Sequence, residues 1–228
     1  MDMDLHYEQL YLNAVDKIKK DDYYLDKLIH DNTDTRYGLS LIIKPDAQIC
    51  NNMLDLLNSL REVEPQQYYY PLSDIHITVL SIISCYSGFR PANLNLQSYA
   101  KEISECVSAF RSFPVYFKGI TASPSGVMVQ GFCENDILNN IRDRLRNKFR
   151  NSNLQHSIDK RYVIQTAHTT IVRFQSPFLQ KDRFLEILHQ FRNKNFGQME
   201  VGQMQLVGND WYHKREKVQV IDTLPMKT

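Results

Sequence analysis

Hydrophobic residues recur at helical spacing near the start of the chain. One apolar face runs over residues 10–18, and a second runs over residues 24–29. Apolar positions three and four residues apart lie on one face of a helix, so this pattern predicts two short amphipathic helices. We therefore expect residues 1–35 to form an N-terminal helical extension and residues 36–228 to form the main domain.

Beyond residue 36, strand and helix patterns alternate, with hairpins between some of them. Dense apolar runs predict strands, and apolar residues at helical spacing predict helices. Ser123-Pro124-Ser125-Gly126 and Gly208-Asn209-Asp210 predict turns. The predicted strands cover residues 37–44, 75–83, 115–117, 127–129, 163–174, 199–207 and 217–221. The predicted helices lie within residues 49–60, 96–110, 137–149 and 184–191.

The two halves of this pattern are alike, because the apolar pattern of the strand at 163–174 closely resembles that of the strand at 75–83. Hairpins interrupt the alternation of strands and helices, so the predicted fold class is α+β with two similar lobes rather than a doubly wound parallel sheet. The chain has only eight glycines, and neither common Gly-rich phosphate loop occurs. This excludes the usual nucleoside-triphosphate and dinucleotide folds.

Composition is that of a globular protein. Of the 228 residues, 43% are hydrophobic and 23% are charged, which is enough to build a packed core. The 27 Lys and Arg nearly cancel the 26 Asp and Glu. No global positive field would then attract a DNA duplex, and any phosphate binding must be local. The basic run that begins at Arg142 is expected to form a solvated helix face.

The sequence gives no sign of a membrane span, a secretory signal, a disulfide or a metal site. No apolar run is long enough for a membrane span, and residues 1–4 are acidic where a secretory signal is basic, so a cytoplasmic protein is expected. The four cysteines are far apart and form no Cys-x-x-Cys pair, which favours free thiols. No zinc-binding spacing occurs, so neither a metal nor a cofactor is expected. Without an exposed apolar stripe, a monomer is the expected state.

One short pattern occurs twice, in corresponding halves of the chain. His76-Ile77-Thr78-Val79 and His168-Thr169-Thr170-Ile171 each place a histidine two positions before a threonine on a predicted strand. Successive side chains of a strand point to opposite faces, so each histidine shares a face with its threonine. A single such histidine is usually a satisfied core residue. The repeat favours a functional site.

Two imidazoles and two hydroxyls in one cleft suit in-line displacement at a phosphodiester. A neutral imidazole can take a proton from the attacking hydroxyl, and a protonated one can give a proton to the leaving oxygen, because both forms coexist near neutral pH. The threonine hydroxyls can donate hydrogen bonds to the phosphate oxygens.

The paired motifs resemble those of the 2H phosphoesterase superfamily, and within it the LigT-like RNA phosphodiesterases. The resemblance covers roughly residues 36–222, and the second motif continues to Arg173 as in the extended form of many members. It implies a bilobal fold in which two antiparallel-rich sheets flank a central cleft, with helices outside. It also implies His76 and His168 as acid and base, Thr78 and Thr170 as phosphate ligands, and no metal.

Further residues are candidates for substrate binding, each with a structural alternative. Tyr70 ends a tyrosine run before the first motif and is suited to stacking a base or to clamping a loop. Tyr86 follows the first motif strand, and Trp211 and Tyr212 stand before basic residues near a predicted turn. Arg173 lies five positions after His168, on the opposite face of a regular strand, and reaches the phosphate only if a bulge re-aims it.

The sequence is consistent with two functions. The first is a metal-independent phosphodiesterase acting on 2′,3′-cyclic phosphates, 2′-5′ linkages or cyclic nucleotides, with a small nucleotide or an RNA end as substrate. The second is a binding module that holds a nucleotide in the same cleft without turnover. Because both motifs are intact, the enzyme is favoured. Pseudo-symmetry leaves open which histidine is the base and which is the acid.

Overall fold

The computed structural model describes residues 2–227 as an α+β fold built on one curled antiparallel sheet. The helices are α1 (Met3–Lys19), α2 (Ala47–Asn52), α3 (Leu54–Val63), α4 (Leu96–Val107), α5 (Ile137–Arg150) and α6 (Lys181–Gln190). The strands are β1 (Arg36–Ile43), β2 (Tyr68–Tyr69), β3 (Ile77–Ser87), β4 (Phe113–Ser123), β5 (Gly126–Cys133), β6 (Thr169–Arg173), β7 (Asn195–Val201), β8 (Gln203–Asp210) and β9 (Gln219–Pro225).

The sheet divides into two lobes that meet at a single residue pair. Its strand order is β7-β4-β5-β6-β3-β1-β8-β9, and β2 also pairs with β6. We call β1, β3, β8 and β9 the first lobe, and β2, β4, β5, β6 and β7 the second lobe. Between β3 and β6 the ladder consists of one pair, Ile77 with Thr169. The two antiparallel lobes expected from the sequence are therefore present, and this pair joins them into nine strands.

Helices cover the lobes because their apolar stripes match the sheet faces. In α5, the side chains of Leu138, Ile141, Leu145 and Phe149 recur at three- and four-residue spacing and are buried. The helix packs on β3 and on α4, and α4 also packs on β9. The hairpin between β4 and β5 turns at Ser123 and Gly126, as predicted.

Two strand predictions near the end of the chain are wrong in their boundaries. The apolar alternation of residues 199–207 is not one strand, because the chain leaves the second lobe at the end of β7 and enters the first lobe with β8, with Gly202 between them. Residues 208–210 are not a turn but the end of β8, and the turn follows at Trp211 and Tyr212. Periodicity alone does not report a change of neighbouring strand.

The strand predicted over residues 163–174 is also shorter in the structure. Only β6 is extended in the sheet, and residues 151–168 run outside helices and strands. Arg146 tethers this segment by bonds to Asp159 (2.7 Å) and to the carbonyl of Ile164 (3.1 Å). Gly131 allows a close approach near its end, since a Cβ there would lie 2.0 Å from the carbonyl oxygen of Ala167.

The N-terminal segment contains one helix rather than two. Helix α1 forms as predicted, but residues 24–29 make no helix and cross the second lobe instead. The backbone N–H of Tyr24 donates to Pro124, and that of Asp26 donates to Phe174. These contacts with the sheet give the backbone N–H groups hydrogen-bond partners without a helix. No helix within residues 2–227 has the length and apolar character needed to cross a membrane.

Candidate active site

Both motif histidines stand immediately before the strand that carries their threonine. His76 precedes β3 and His168 precedes β6. The histidine and the threonine two positions later are partly exposed in both motifs, while Ile75, Ile77 and Thr169 are buried. The alternation of faces predicted from strand geometry is therefore present in both motifs.

The pair that joins the lobes also brings the motifs together. Because β3 and β6 run antiparallel through Ile77 and Thr169, one step along the strands places His76 level with Thr170 and Thr78 level with His168. His76 and His168 are thus diagonal neighbours across the Ile77–Thr169 pair. All four of these side chains line a single cleft.

Each motif strand then contains a bulge at the equivalent position. In β3 the pairing skips Val79, and in β6 it skips Ile171. An extra residue shifts the alternation, so that the two residues after each threonine are both buried and the next one returns to the cleft side. That next residue is Ser81 in the first motif and Arg173 in the second. The bulge is the condition under which Arg173 was expected to reach the site.

The ring of His76 is held from two sides. Its Nδ1 lies 2.8 Å from the carbonyl oxygen of Asp74, and since a carbonyl only accepts, Nδ1 carries the proton. In the neutral ring, Nε2 then has a free lone pair. The ring of His213 stacks on it with centroids 3.8 Å apart and planes at 28°. His213 is buried, with a backbone φ of 57°.

The ring of His168 has a different partner. Its Nδ1 lies 2.6 Å from the hydroxyl oxygen of Thr166. A hydroxyl can donate or accept, so this contact is compatible with either neutral tautomer and with the imidazolium form. His168 is therefore free to carry a proton on Nε2 while neutral, whereas the neutral ring of His76 is not.

Both rings are only partly exposed, and their desolvation by the surrounding protein controls their protonation. Desolvation lowers the pKa of His76 to about 4, with a further lowering from Lys44 and Arg173. It also lowers the pKa of His168 to about 4, with further lowering from the positive charges of Arg142 and Arg173. At these pKa values both imidazoles are neutral at pH 7 when no anion is bound. An anion bound between them favours the charged form and raises both pKa values.

The N-terminal segment reaches this cleft through Asp26. Its buried carboxylate accepts a hydrogen bond from the Tyr212 hydroxyl at 2.6 Å and lies 3.9 Å from the guanidinium of Arg173. Arg173 donates from Nε to the hydroxyl of Tyr70 at 2.8 Å. Tyr70 is itself buried. Asp26 thus holds two cleft residues that belong to the second motif strand and the C-terminal hairpin.

Aromatic and basic residues form the outer wall of the cleft. The guanidinium carbons of Arg36 and Arg161 lie 4.8 Å and 4.5 Å from the ring centroid of Trp211. Tyr162, from the loop before the second motif, also lines the cleft and is 71% exposed. Tyr86 lies outside the lining, packed on Phe89.

Sequence reasoning placed Tyr70, Arg173, Trp211 and Tyr212 near the site, and the structure brings all four to the cleft. It missed His213, Asp26 and the role of Arg142, which is buried rather than solvated. Position 142 lies four residues after Leu138 and three before Leu145, which places it on the apolar face of α5, and this spacing was the available signal. Nothing near Asp26 or His213 indicated a long-range contact.

Residues 2–227 contain no group of three or more His, Cys, Asp or Glu side chains arranged to hold a metal ion. The cysteines are free thiols, three of them buried and Cys133 partly exposed.

Solved structures with the same architecture are found at low sequence identity. TT0787 of Thermus thermophilus superposes with a TM-score of 0.58 at 12% identity, over 82% of this chain and 97% of that chain. LigT of E. coli, crystallised with 3′-AMP, superposes with a TM-score of 0.53 at 12% identity, over 85% of this chain and 99% of that chain. The fold is LigT-like. This confirms the fold that the paired motifs led us to expect.

A third structure, ATU0111 of Agrobacterium tumefaciens, is a conserved protein of unknown function. It superposes on the LigT-like fold of this chain with a TM-score of 0.53 at 15% identity, over 85% of this chain and 92% of that chain. No family model matches the sequence, and no curated protein matches it either. The likeness is therefore one of fold.

Proposed function

We propose that this protein is a metal-independent phosphodiesterase that hydrolyses 2′,3′-cyclic phosphates or 2′-5′ linkages in nucleotides or RNA ends. The observation that supports this most directly is the register of β3 and β6. It places two imidazoles and two threonine hydroxyls side by side, on strands from two lobes, in one open cleft. General acid–base displacement at phosphorus needs such an arrangement.

The proposed roles of the two histidines follow from their Nδ1 partners. His76 is the base, because its Nδ1 proton is held by the Asp74 carbonyl and the lone pair of the neutral ring is then on Nε2. Water attacks phosphorus and loses a proton to His76, while the bond to the leaving oxygen breaks. His168, in its imidazolium form, gives that oxygen the proton of Nε2 and becomes neutral. The product carries a phosphomonoester and a free hydroxyl, and both rings return to their starting forms by proton exchange.

The proposed phosphate contacts are Thr78, Thr170 and Arg173. The hydroxyls donate hydrogen bonds to the non-bridging oxygens, and the guanidinium offsets the charge that builds up in the transition state. The bound anion also raises the pKa of the nearby imidazoles, so that the acid acquires its proton on substrate binding. These groups together supply nucleophile activation, charge stabilisation and leaving-group protonation without a metal.

The nucleoside is proposed to lie against the outer wall of the cleft. The exposed ring of Tyr162 offers an aromatic face there, and such a face stacks any base. Trp211 lines the same wall beside the guanidinium groups of Arg36 and Arg161. The E. coli LigT structure with 3′-AMP supports a nucleotide-sized ligand for this fold. Which nucleotide is preferred depends on this wall, because the phosphate contacts are common to all candidates.

The test is a substrate panel of 2′,3′-cyclic nucleotides, 2′-5′ dinucleotides, 3′-5′ dinucleotides and 3′,5′-cyclic nucleotides, each with and without EDTA. We expect turnover of members of the first two groups that EDTA does not reduce. Loss of activity in EDTA contradicts the metal-free mechanism. Tight nucleotide binding without turnover across the panel supports the binding module instead.

A further inference from the structure

Arg142 is a fully buried arginine whose hydrogen bonds all run toward the two motifs or its own helix. Its Nε donates to the carbonyl of Val79 at 2.8 Å, and its Nη2 donates to the carbonyls of Thr78 at 3.1 Å and Thr166 at 2.8 Å. Its Nη1 donates to Asn139 Oδ1 at 2.8 Å. The side chain has an exposure of 0%.

These bonds lie where the two lobes separate. From the Ile77 pair onward the strands diverge, and no further ladder pair joins β3 to the segment before β6 in residues 2–227. Carbonyls that face such a gap lack the ladder donors they have elsewhere in a sheet. The guanidinium occupies the gap and presents its rigid fork of donors to both sides.

The bonds lead directly to catalytic candidates. Thr78 carries one of the proposed phosphate-binding hydroxyls, and Arg142 holds its backbone carbonyl. Thr166 holds Nδ1 of His168 through its hydroxyl, and Arg142 holds its carbonyl as well. A shift of this guanidinium therefore moves residues of both motifs relative to each other.

The acceptors of Arg142 are all uncharged. Three are backbone carbonyls and one is a side-chain amide. Burial lowers the pKa of Arg142 to about 10, which still leaves the group charged at pH 7. A buried charge is costly unless something compensates for it. An anion bound in the cleft above the motifs is a suitable compensating charge.

We infer that Arg142 is a positioning residue of the proposed phosphodiesterase: it sets the spacing of the two motifs and places a fixed positive charge beneath the bound phosphate. This inference rests on the proposed function. The Arg142 side chain does not touch the cleft surface, so it acts through the backbone of Thr78 and Thr166 and through its field.

Two substitutions separate these two actions. Arg142→Lys keeps the charge but replaces the planar fork by one ammonium group with three donors, which cannot reproduce the four hydrogen bonds of Arg142. Arg142→Gln removes the charge. The matched controls are Arg144→Lys and Arg144→Gln, since Arg144 is exposed on the same helix. The readouts are kcat and KM on the best substrate of the panel, and NMR titration of the imidazole C–H signals of His76 and His168.

For Arg142→Lys we expect kcat to fall about 10²-fold, as for a misplacement of about 1 Å in a reacting constellation, with a smaller change in KM. For Arg142→Gln we expect an upward shift in the pKa of His168 that exceeds the shift for His76. The charged and titratable groups that act on His168 are Arg142 from α5, His76 before β3, Arg173 from β6 and His6 from α1, so removing one of the positive charges raises its pKa.

The inference is overturned if Arg142→Lys keeps the wild-type kcat, or if Arg142→Gln leaves the His168 titration unchanged. A purely structural arginine lowers stability in unfolding experiments without moving that titration. If both variants unfold, Asn139→Ala decides, since it removes only the Nη1 contact among the four hydrogen bonds of Arg142, together with the exposed bond from Asn139 to Asp136. We then expect a kcat loss of several-fold, and no loss contradicts the inference.

The two proposals fail in different ways. If the wild type turns over nothing in the panel, the proposed function is wrong. The NMR titrations still report whether Arg142 acts on His168, because they need no turnover.

Discussion

The two motif segments, residues 76–81 and 168–173, have nearly the same backbone plan but different surroundings. Each begins with a histidine just outside a strand, continues with a threonine on the same face, and passes a bulge before its last residue returns to the cleft. The first segment ends on Ser81 and the second on Arg173. The first histidine is fixed by a carbonyl and a stacked ring, and the second by a hydroxyl.

This comparison shows which properties come from the repeat and which come from the rest of the chain. The repeated backbone supplies an imidazole and a hydroxyl from each side. Apart from the last residue of each segment, Ser81 or Arg173, the features that distinguish the two sides are contributed by residues outside the motifs, such as His213, Thr166 and Asp26. In the proposed mechanism, these differences make the side of His76 the base side and the side of His168 the acid side.

The largest expected effect on turnover follows from replacing either histidine. His76→Ala and His168→Ala should each lower kcat by about 10²–10⁴-fold, the usual contribution of a general acid or base. The two differ with a substrate whose leaving group is a good one, such as a p-nitrophenyl phosphodiester. Such a substrate needs no acid, so it should rescue His168→Ala and not His76→Ala in a steady-state assay.

The control for this experiment is His189→Ala, on the exposed end of α6, which should keep full activity. Rescue of His76→Ala alone would exchange the two roles. Full activity in both single variants would remove these histidines from the mechanism.

The next effect is the pH dependence of kcat/KM, which reports the free enzyme. Both imidazoles have a pKa of about 4, lowered from 6.5 by burial. One of them must be protonated, and above pH 5 that fraction falls about tenfold per unit. We expect kcat/KM to fall by about 10² between pH 5 and 7, on a substrate whose charge is constant in that range.

The profile of kcat should lie at higher pH, because the bound phosphate raises the pKa of the acid. Coincident profiles would mean that the substrate does not change the protonation of the site. The same pKa values predict that the free energy of unfolding decreases as the pH falls from about 6.5 to 4, since the unfolded chain binds more protons in this range. Chemical denaturation across that range measures it.

A smaller effect separates the ends of the two segments. Arg173→Met should lower kcat/KM by about 10–10²-fold, since hydrogen bonds to charged groups contribute about 1.5–3 kcal/mol. Ser81→Ala, at the equivalent position, should cost no more than about tenfold. Equal losses would show that the site uses both sides alike and would contradict the difference between the two sides proposed above.

The smallest effect concerns the outer wall. Tyr162→Ala should raise KM for nucleotides by about tenfold, within the range for loss of one stacked base, and should leave kcat nearly unchanged. Trp211 is the single tryptophan of the chain, so quenching of its fluorescence reports nucleotide binding directly.

The matched control for the outer wall is Tyr24→Ala, an exposed tyrosine outside the cleft lining. An unchanged KM in Tyr162→Ala, or an equal change in the control, contradicts stacking at this wall.

The sequence allowed the repeat and its facing to be predicted because both depend on local rules. Strand alternation placed His76 with Thr78 and His168 with Thr170, and helical spacing located α3 to α6. The bulges could not be predicted from the sequence, and a bulge was mentioned only as the condition under which Arg173 reaches the phosphate. An extra residue in a strand does not change the pattern of an apolar run such as residues 79–80.

Residues that act across the fold could not be predicted. Arg142 reads as one more charge in a basic helix, and its burial depends on the gap between the lobes, which no periodicity describes. Asp26 reaches the cleft only because the N-terminal segment is extended over the second lobe. The sequence also gave no sign that β8 pairs with β1, because the two strands are far apart along the chain.

The order of the strands has a consequence for how the protein is made. The first lobe contains β1 and β3 from the early part of the chain and β8 and β9 from its end. Synthesis proceeds at about 5–20 residues per second, so β1 emerges from the ribosome many seconds before its neighbour β8. During that time one edge of an apolar strand lacks its native cover, and nascent chains truncated before residue 203 should depend on chaperones to stay soluble.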